Sequence, residues 1–154
     1  MPMSEIRFFV HGIPAPGGSK QGFAIKKGGV YTGRVAIVDA GGAKTKAWRQ
    51  DVAAAAFQAM KLADSAPLTG AVELELIFHM PRPKSHFRSD GVTLRPGSPL
   101  QHVTRPDCTK LARSTEDAMT GIAYVDDGQI VKQTHEKFFS DQPGAWVVLK
   151  EADA

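Results

Sequence analysis

Cysteine is nearly absent from this chain. Cys108 is the one cysteine among 154 residues, which excludes an internal disulfide and suits a reducing compartment. No apolar run reaches the length of a membrane span, and the first residues lack the basic-then-apolar order of a secretory leader. The expectation is a cytoplasmic protein with no membrane partner. Tight histidine–cysteine spacing is missing too. His79, His86, His102 and His135 are scattered, which argues against a zinc site. No internal repeat and no domain boundary interrupt the chain. Its length allows one domain with a real hydrophobic core, so residues 1–154 are read as a single domain.

Strong charge of either sign is lacking as well. The net charge is +3 and the isoelectric point about 9.1, a balance that admits nucleic acid without requiring it. The distribution says more. Lys20, Lys26, Lys27, Arg34, Lys44, Lys46 and Arg49 load the first third, and Arg82, Lys84, Arg88, Arg95 and Arg105 the middle. Acidic residues gather between Asp107 and Asp127 and near the end.

Hydrophobic periodicity supplies the elements. Residues 6–10 read as a strand that stops at Gly12 and two prolines. Residues 23–27 and 30–34 flank Gly28-Gly29 as a hairpin, with 35–38 extending its second arm. From Thr45 to Leu62, Trp48, Val52, Ala55, Ala56, Ala59 and Met60 recur at helical steps, with Thr45 as the expected N-cap. Residues 71–78 alternate as a half-buried strand. Residues 79–104 form a long basic loop with prolines at 81, 83, 96 and 99. A loop of that length reads as a phosphate-contacting arm or a solvated insert. A second helix spans Asp107 to Thr120, closed by Gly121. Strands over 129–139 and 145–150 follow, joined by the turn at Asp141–Gly144. The sum is an α+β fold with a mixed or antiparallel sheet and two main helices.

The chemistry concentrates in residues 105–131, RPDCTKLARSTEDAMTGIAYVDDGQIV. Asp107 heads the second helix, where a carboxylate either caps free backbone N–H groups or offers oxygen to a metal. Lys110, Arg113, Ser114 and Asp117 share the side of that helix away from the core. Glu116 projects near Arg113. Asp126-Asp127 precedes a glycine, the usual sign of a turn. Taken together, carboxylates at a helix head, along the helix and in the following turn suit a hard divalent cation that polarises a phosphodiester. An arginine nearby suits charge developing on the phosphate. Lysines 26 and 27 and the basic loop, through Arg82, Lys84 and Arg105, are the candidate phosphate contacts, with Lys110 beside them. Cys108 has no histidine partner placed by the sequence and reads as a packed side chain. Trp48 reads as core or dimer contact rather than a base-stacking platform.

The same stretch resembles the signature of the RusA family of Holliday-junction resolvases, common in phages and prophages. The matching residues are Arg105-Pro106-Asp107, Leu111, Arg113, Asp117-Ala118-Met119 and Asp126-Asp127-Gly128-Gln129-Ile130-Val131. Upstream, Gly12-Ile13-Pro14-Ala15-Pro16, Val30-Tyr31-Thr32, the Trp48 helix and Met80-Pro81-Arg82-Pro83-Lys84-Ser85-His86 fall in the family's order. The resemblance implies a small homodimeric domain that cuts four-way DNA junctions in recombination and repair, using Mg²⁺, or Mn²⁺ in its place. By position, Asp107 and Asp127 match metal carboxylates and Arg113 stands where the family has its catalytic lysine. Thr109 departs from the pattern, because the family carries a second carboxylate there. Lys110 departs as well, standing where asparagine is usual. Glu116, on the same helical flank about 10 Å further along the axis, and Asp117 are the two candidates to complete the metal set. The alternative is a branched-DNA-binding protein that kept the fold and lost cleavage through Thr109.

Overall fold

The computed structural model describes residues 5–17, 20–39 and 42–152. Six strands and two helices run in the order β1 (Glu5–His11), β2 (Lys20–Lys27), β3 (Val30–Asp39), α1 (Gly42–Leu62), β4 (Val72–Pro81), α2 (Cys108–Met119), β5 (Ile130–Ser140) and β6 (Gly144–Glu151). The main sheet has the order β1-β6-β4-β5. β4 is antiparallel to β6 and parallel to β5, so the sheet is mixed and the fold is α+β. β2 and β3 pair with each other as a separate antiparallel hairpin around Gly28-Gly29.

β4 sits at the centre because its sequence can be buried on one side throughout. Val72, Leu74, Leu76, Phe78 and Met80 turn inward and are almost fully buried, while Glu73 and Glu75 take the opposite face. Onto the inward face pack Trp48, Val52, Ala56 and Met60 of α1, four residues apart, and Leu111, Ala112 and Met119 of α2. Large-to-small truncation among these, at Trp48 for instance, costs on the order of 3–5 kcal/mol. The indole N–H of Trp48 donates to Thr115 Oγ1 at 3.1 Å, and that hydroxyl donates to the Leu111 carbonyl at 2.8 Å. Trp48 is thus core, and its polar atom is satisfied across the two helices.

Two expectations about element ends are corrected. Thr45 does not cap α1. It lies inside the helix, which begins at Gly42, and its buried hydroxyl donates to the Pro16 carbonyl at 2.7 Å. The turn at Asp141–Gly144 joins two strands as expected, and β4 lies between them in the sheet. The chain steps over the end of β4, where Pro81 pairs with Ser140 and His79 with Gly144. The loop expected over 79–104 begins late, since β4 extends to Pro81.

The proline-rich run after β1 is pinned between the helices. Prolines supply carbonyls but no N–H, so the segment needs outside donors. Ser114, expected on the side of α2 away from the core, is instead fully buried and donates to Ala15 O at 2.6 Å, Thr45 donates to Pro16 O, and the N–H of Gly17 donates to Lys110 O at 2.9 Å. A Cβ on Gly17 would come within 3.0 Å of Ser114 Cβ, so glycine permits the approach.

Candidate active site and nucleic-acid interface

Asp107 immediately precedes α2, after a cis Arg105–Pro106 peptide. Its carbonyl accepts the first helical hydrogen bond, from Leu111 N at 3.0 Å. Its side chain makes no capping hydrogen bond and is exposed. Of the two roles open to it, capping is therefore not the one its carboxylate takes. The segment leading to it is held from β5. The ammonium of Lys137 lies 3.0 Å from His102 Nδ1, 2.6 Å from Thr104 O and 2.8 Å from Pro106 O. Burial, with the Lys137 charge beside it, holds the His102 imidazole below its ordinary value of 6.5.

The other end of α2 gathers negative charge. Glu116 is half-buried and its carboxyl is pushed up. Burial is the main cause, Asp127 and Asp117 add to it, and the Gln133 side chain and Arg113 oppose it. Tyr124 is fully buried and donates to the Glu116 carbonyl at 2.7 Å. Its ionisation is driven upward by burial first and then by the Glu116 and Asp127 charges. The three carboxylates therefore act on one neighbourhood around the last turn of the helix and the turn beyond it.

Gln129 builds that turn. Its side-chain oxygen accepts from Val125 N and Asp126 N, both at 2.8 Å, and its amide donates to Leu68 O at 2.8 Å and Gly70 O at 2.9 Å. Asp126 completes a capping box with it around the 3₁₀ turn Asp127–Gln129. Asp126 is thus structural, and Asp127 is left exposed beside Glu116. Gln129 three residues after Asp126 is the spacing of a capping box, so the signal was present in the sequence. Lys137 gave no such signal.

Glu116 and Asp117, adjacent in sequence, part company. Glu116 is hydrogen-bonded to the Gln133 side chain and feels the charges of both Asp127 and Asp117, whereas Asp117 is ion-paired with Arg49 of α1 at 3.3 Å. Asp107 is separated from Glu116 by roughly 13 Å of helix rise. Among the described residues, no three of His, Cys, Asp and Glu converge closely enough to hold a metal ion. The expected set of Asp107, Glu116, Asp117 and Asp127 is thus split into three: a lone carboxylate at the helix head, a Glu116–Asp127 pair at its tail, and a paired Asp117. The Glu116–Asp127 pair fits Mg²⁺ chemically. Both are hard oxygen donors whose mutual repulsion a cation would relieve, and Mg²⁺ usually takes one or two carboxylates beside water and phosphate.

The basic candidates also divide. Arg113, Lys84 and Arg105 are exposed, and Lys110 is partly so. Arg82 is committed to structure: it donates to Pro99 O at 2.8 Å, approaches His86 Nδ1 at 3.3 Å and lies 5.3 Å from the Phe139 ring centre. The loop it braces is ordered by its own hydrogen bonds, including Arg95 N to His86 O at 2.8 Å and Phe139 N to Leu100 O at 2.8 Å. Lys27 is exposed at the hairpin tip, while the side chains of Lys20, Lys26, Tyr31 and Arg34 lie outside the described residues. Arg105 and Lys44 also edge an open cleft of about 960 Å³ between the proline-rich run, α1 and Pro106. Among the described residues, no helix is long and apolar enough to cross a membrane.

Fold and site together define a small α+β protein that carries carboxylates at both ends of one helix beside an ordered basic loop. The model of the family described as Endodeoxyribonuclease RusA matches residues 26–150, and the chain belongs to that family. It is 29% identical over 153 residues to the uncharacterized protein YqaN of Bacillus subtilis (strain 168), an alignment that covers 99% of this chain and 100% of that relative.

Proposed function

We propose that this protein is a single-domain, structure-selective DNA endonuclease that resolves four-way junctions by Mg²⁺-dependent phosphodiester hydrolysis. It works in recombination and repair, in the cytoplasm of a bacterium or a phage-infected host. The observation that carries the reading is the match of most of the chain to the RusA family, with the half-buried Glu116 at the end of α2 under the charge of Asp127 beside it. Glu116 and Asp127 would hold Mg²⁺, or Mn²⁺ in its place. The ion supplies polarisation of the scissile phosphate and a more acidic water. Arg113, whose charge reaches Glu116, stabilises negative charge on the phosphate. Asp107, exposed at the head of α2, offers a second, separate carboxylate. Lys84 and Arg105, exposed on that loop, contact the backbone, with Lys110 and the hairpin residues Lys26 and Lys27 extending the track. Two nicks related by a two-fold axis call for two copies, so the working form is a homodimer.

The test is cleavage of a synthetic four-way junction with and without Mg²⁺, beside Asp127→Asn. Symmetric nicking that needs the ion and is lost in the variant supports the reading. One observation favours a second reading, a branched-DNA-binding protein without cleavage. Thr109 stands where the family pattern has a carboxylate, and no three-carboxylate cluster forms among the described residues. Junction binding with no cleavage in Mg²⁺ or Mn²⁺ selects that reading.

A further inference from the structure

Lys137 occupies an odd position for a lysine. It lies on β5 in register with Gln133, His135 and Phe139, on the side from which Phe139 packs against the core. An ammonium carries three N–H donors and no acceptor. Here all three have partners: His102 Nδ1 at 3.0 Å, Thr104 O at 2.6 Å and Pro106 O at 2.8 Å. Every partner is on the short segment that ends at Asp107. Among the described residues, no carboxylate lies within ion-pair distance of Lys137. A partly buried cation without an anion is costly unless its hydrogen bonds are complete. An apolar side chain beside Phe139 would avoid that cost, so packing alone does not explain a lysine here. His102 is itself fixed. It is almost fully buried and stacks edge-on with Phe139 at 4.9 Å. To accept from the ammonium at Nδ1 it must carry its proton on Nε2.

We infer that Lys137 is a positioning residue for the helix-head end of the site: it ties β5 to residues 102–106 and so sets where the Asp107 carboxylate and the Arg105 guanidinium meet DNA. It does so without touching the substrate, because its donors are spent. This inference rests on the endonuclease reading for its effect on cleavage, but not for its effect on the loop.

The experiment uses Cys108, the first residue of α2 and the chain's one cysteine, as a reporter in the full-length protein. The rate of alkylation by iodoacetamide is measured against pH for wild type and Lys137→Met. The apparent thiol pKa reports the loss of a nearby cation, and the plateau rate at high pH reports access. A freed segment raises the plateau about five-fold or more. In junction cleavage, kcat falls about ten-fold or more while KM changes by less than about three-fold. Lys137→Arg restores little of either, since a planar guanidinium does not aim three donors at one convergent set of acceptors. His102→Phe, which removes one acceptor and keeps a ring against Phe139, shifts the plateau in the same direction and serves where Lys137→Met does not fold. An unchanged alkylation plateau overturns the inference. So does a raised KM with a salt slope of DNA binding lower by about one, the mark of a direct phosphate contact. If wild type binds junctions without cutting them, the endonuclease reading fails, and the alkylation plateau alone still decides the role of Lys137.

Discussion

Arg49 of α1 holds Asp117 of α2 across the helix pair, its Nη2 3.3 Å from the carboxylate. That contact separates two neighbours which the sequence leaves equivalent. A carboxylate already paired with a guanidinium on the α1 side is a poor candidate for a metal on the β5 side, and Glu116 is left under the charge of Asp127. Asp117→Asn is therefore expected to keep cleavage and to cost no more than about 1 kcal/mol, the range of partly exposed ion pairs. Glu116→Gln is expected to lower Mg²⁺-dependent cleavage at least a hundred-fold. Junction assays on the two variants check this, and the reverse pattern would assign the site to Asp117.

Glu116→Gln should also stabilise the fold. The raised carboxyl of Glu116 means that the native protein disfavours the charged form. Between the ordinary glutamate value and the raised one, the native state binds more protons than the unfolded chain, so stability falls as pH rises through that window. The glutamine variant lacks this loss. Its melting temperature should exceed wild type by a few degrees at pH 7 and match it near pH 4, as thermal denaturation at the two pH values will show.

Thr109 is exposed in the first turn of α2. Thr109→Asp places a carboxylate two residues after Asp107 at a helix N-terminus, where the dipole favours negative charge by about 0.3–1 kcal/mol. The variant should gain stability by that amount and bind Mg²⁺ more tightly than wild type in a calorimetric titration. Unchanged ion binding would mean that the helix head is not a metal site.

His102 predicts an acid limb of opposite sign to Glu116. Its folded value lies below the ordinary 6.5 through burial and the Lys137 charge. The unfolded chain then binds the extra proton, so the stabilisation is complete above about 6.5 and is lost as pH falls through the depressed value. Lys137 faces the ring directly, and Arg82 and His86 surround the Phe139 ring on which it rests. Denaturant midpoints between pH 7 and 5 should drop in wild type and drop less in His102→Gln.

The basic residues should separate in a salt titration of junction binding. Lys84→Ala and Arg105→Ala each lower the slope of log affinity against log salt by about one and weaken all DNA alike. Arg82→Ala instead loosens the 82–106 loop, because its guanidinium braces Pro99 O. It should lower the melting temperature, an effect not expected of the other two variants.

Much of the architecture was legible in the chain. The alternation over 71–78 identified the central strand, the four-residue spacing of Trp48, Val52, Ala56 and Met60 identified α1, and Gly28-Gly29 identified the hairpin turn. These are local signals, because period and turn chemistry act over a few residues. The sequence by itself also determined which residue types bear charge between Arg105 and Val131, and their order matches the RusA pattern. Only the tertiary structure decided what each charge faces. It turned Glu116 toward Gln133 and Asp117 toward Arg49, spent Asp126 and Gln129 on a turn, and set Lys137 against the segment before Asp107. It also placed β4 between the two strands that the Asp141–Gly144 turn joins. Each of these depends on partners dozens of residues away, and a side chain's protonation, pairing and reach are set by those partners rather than by its neighbours in the chain.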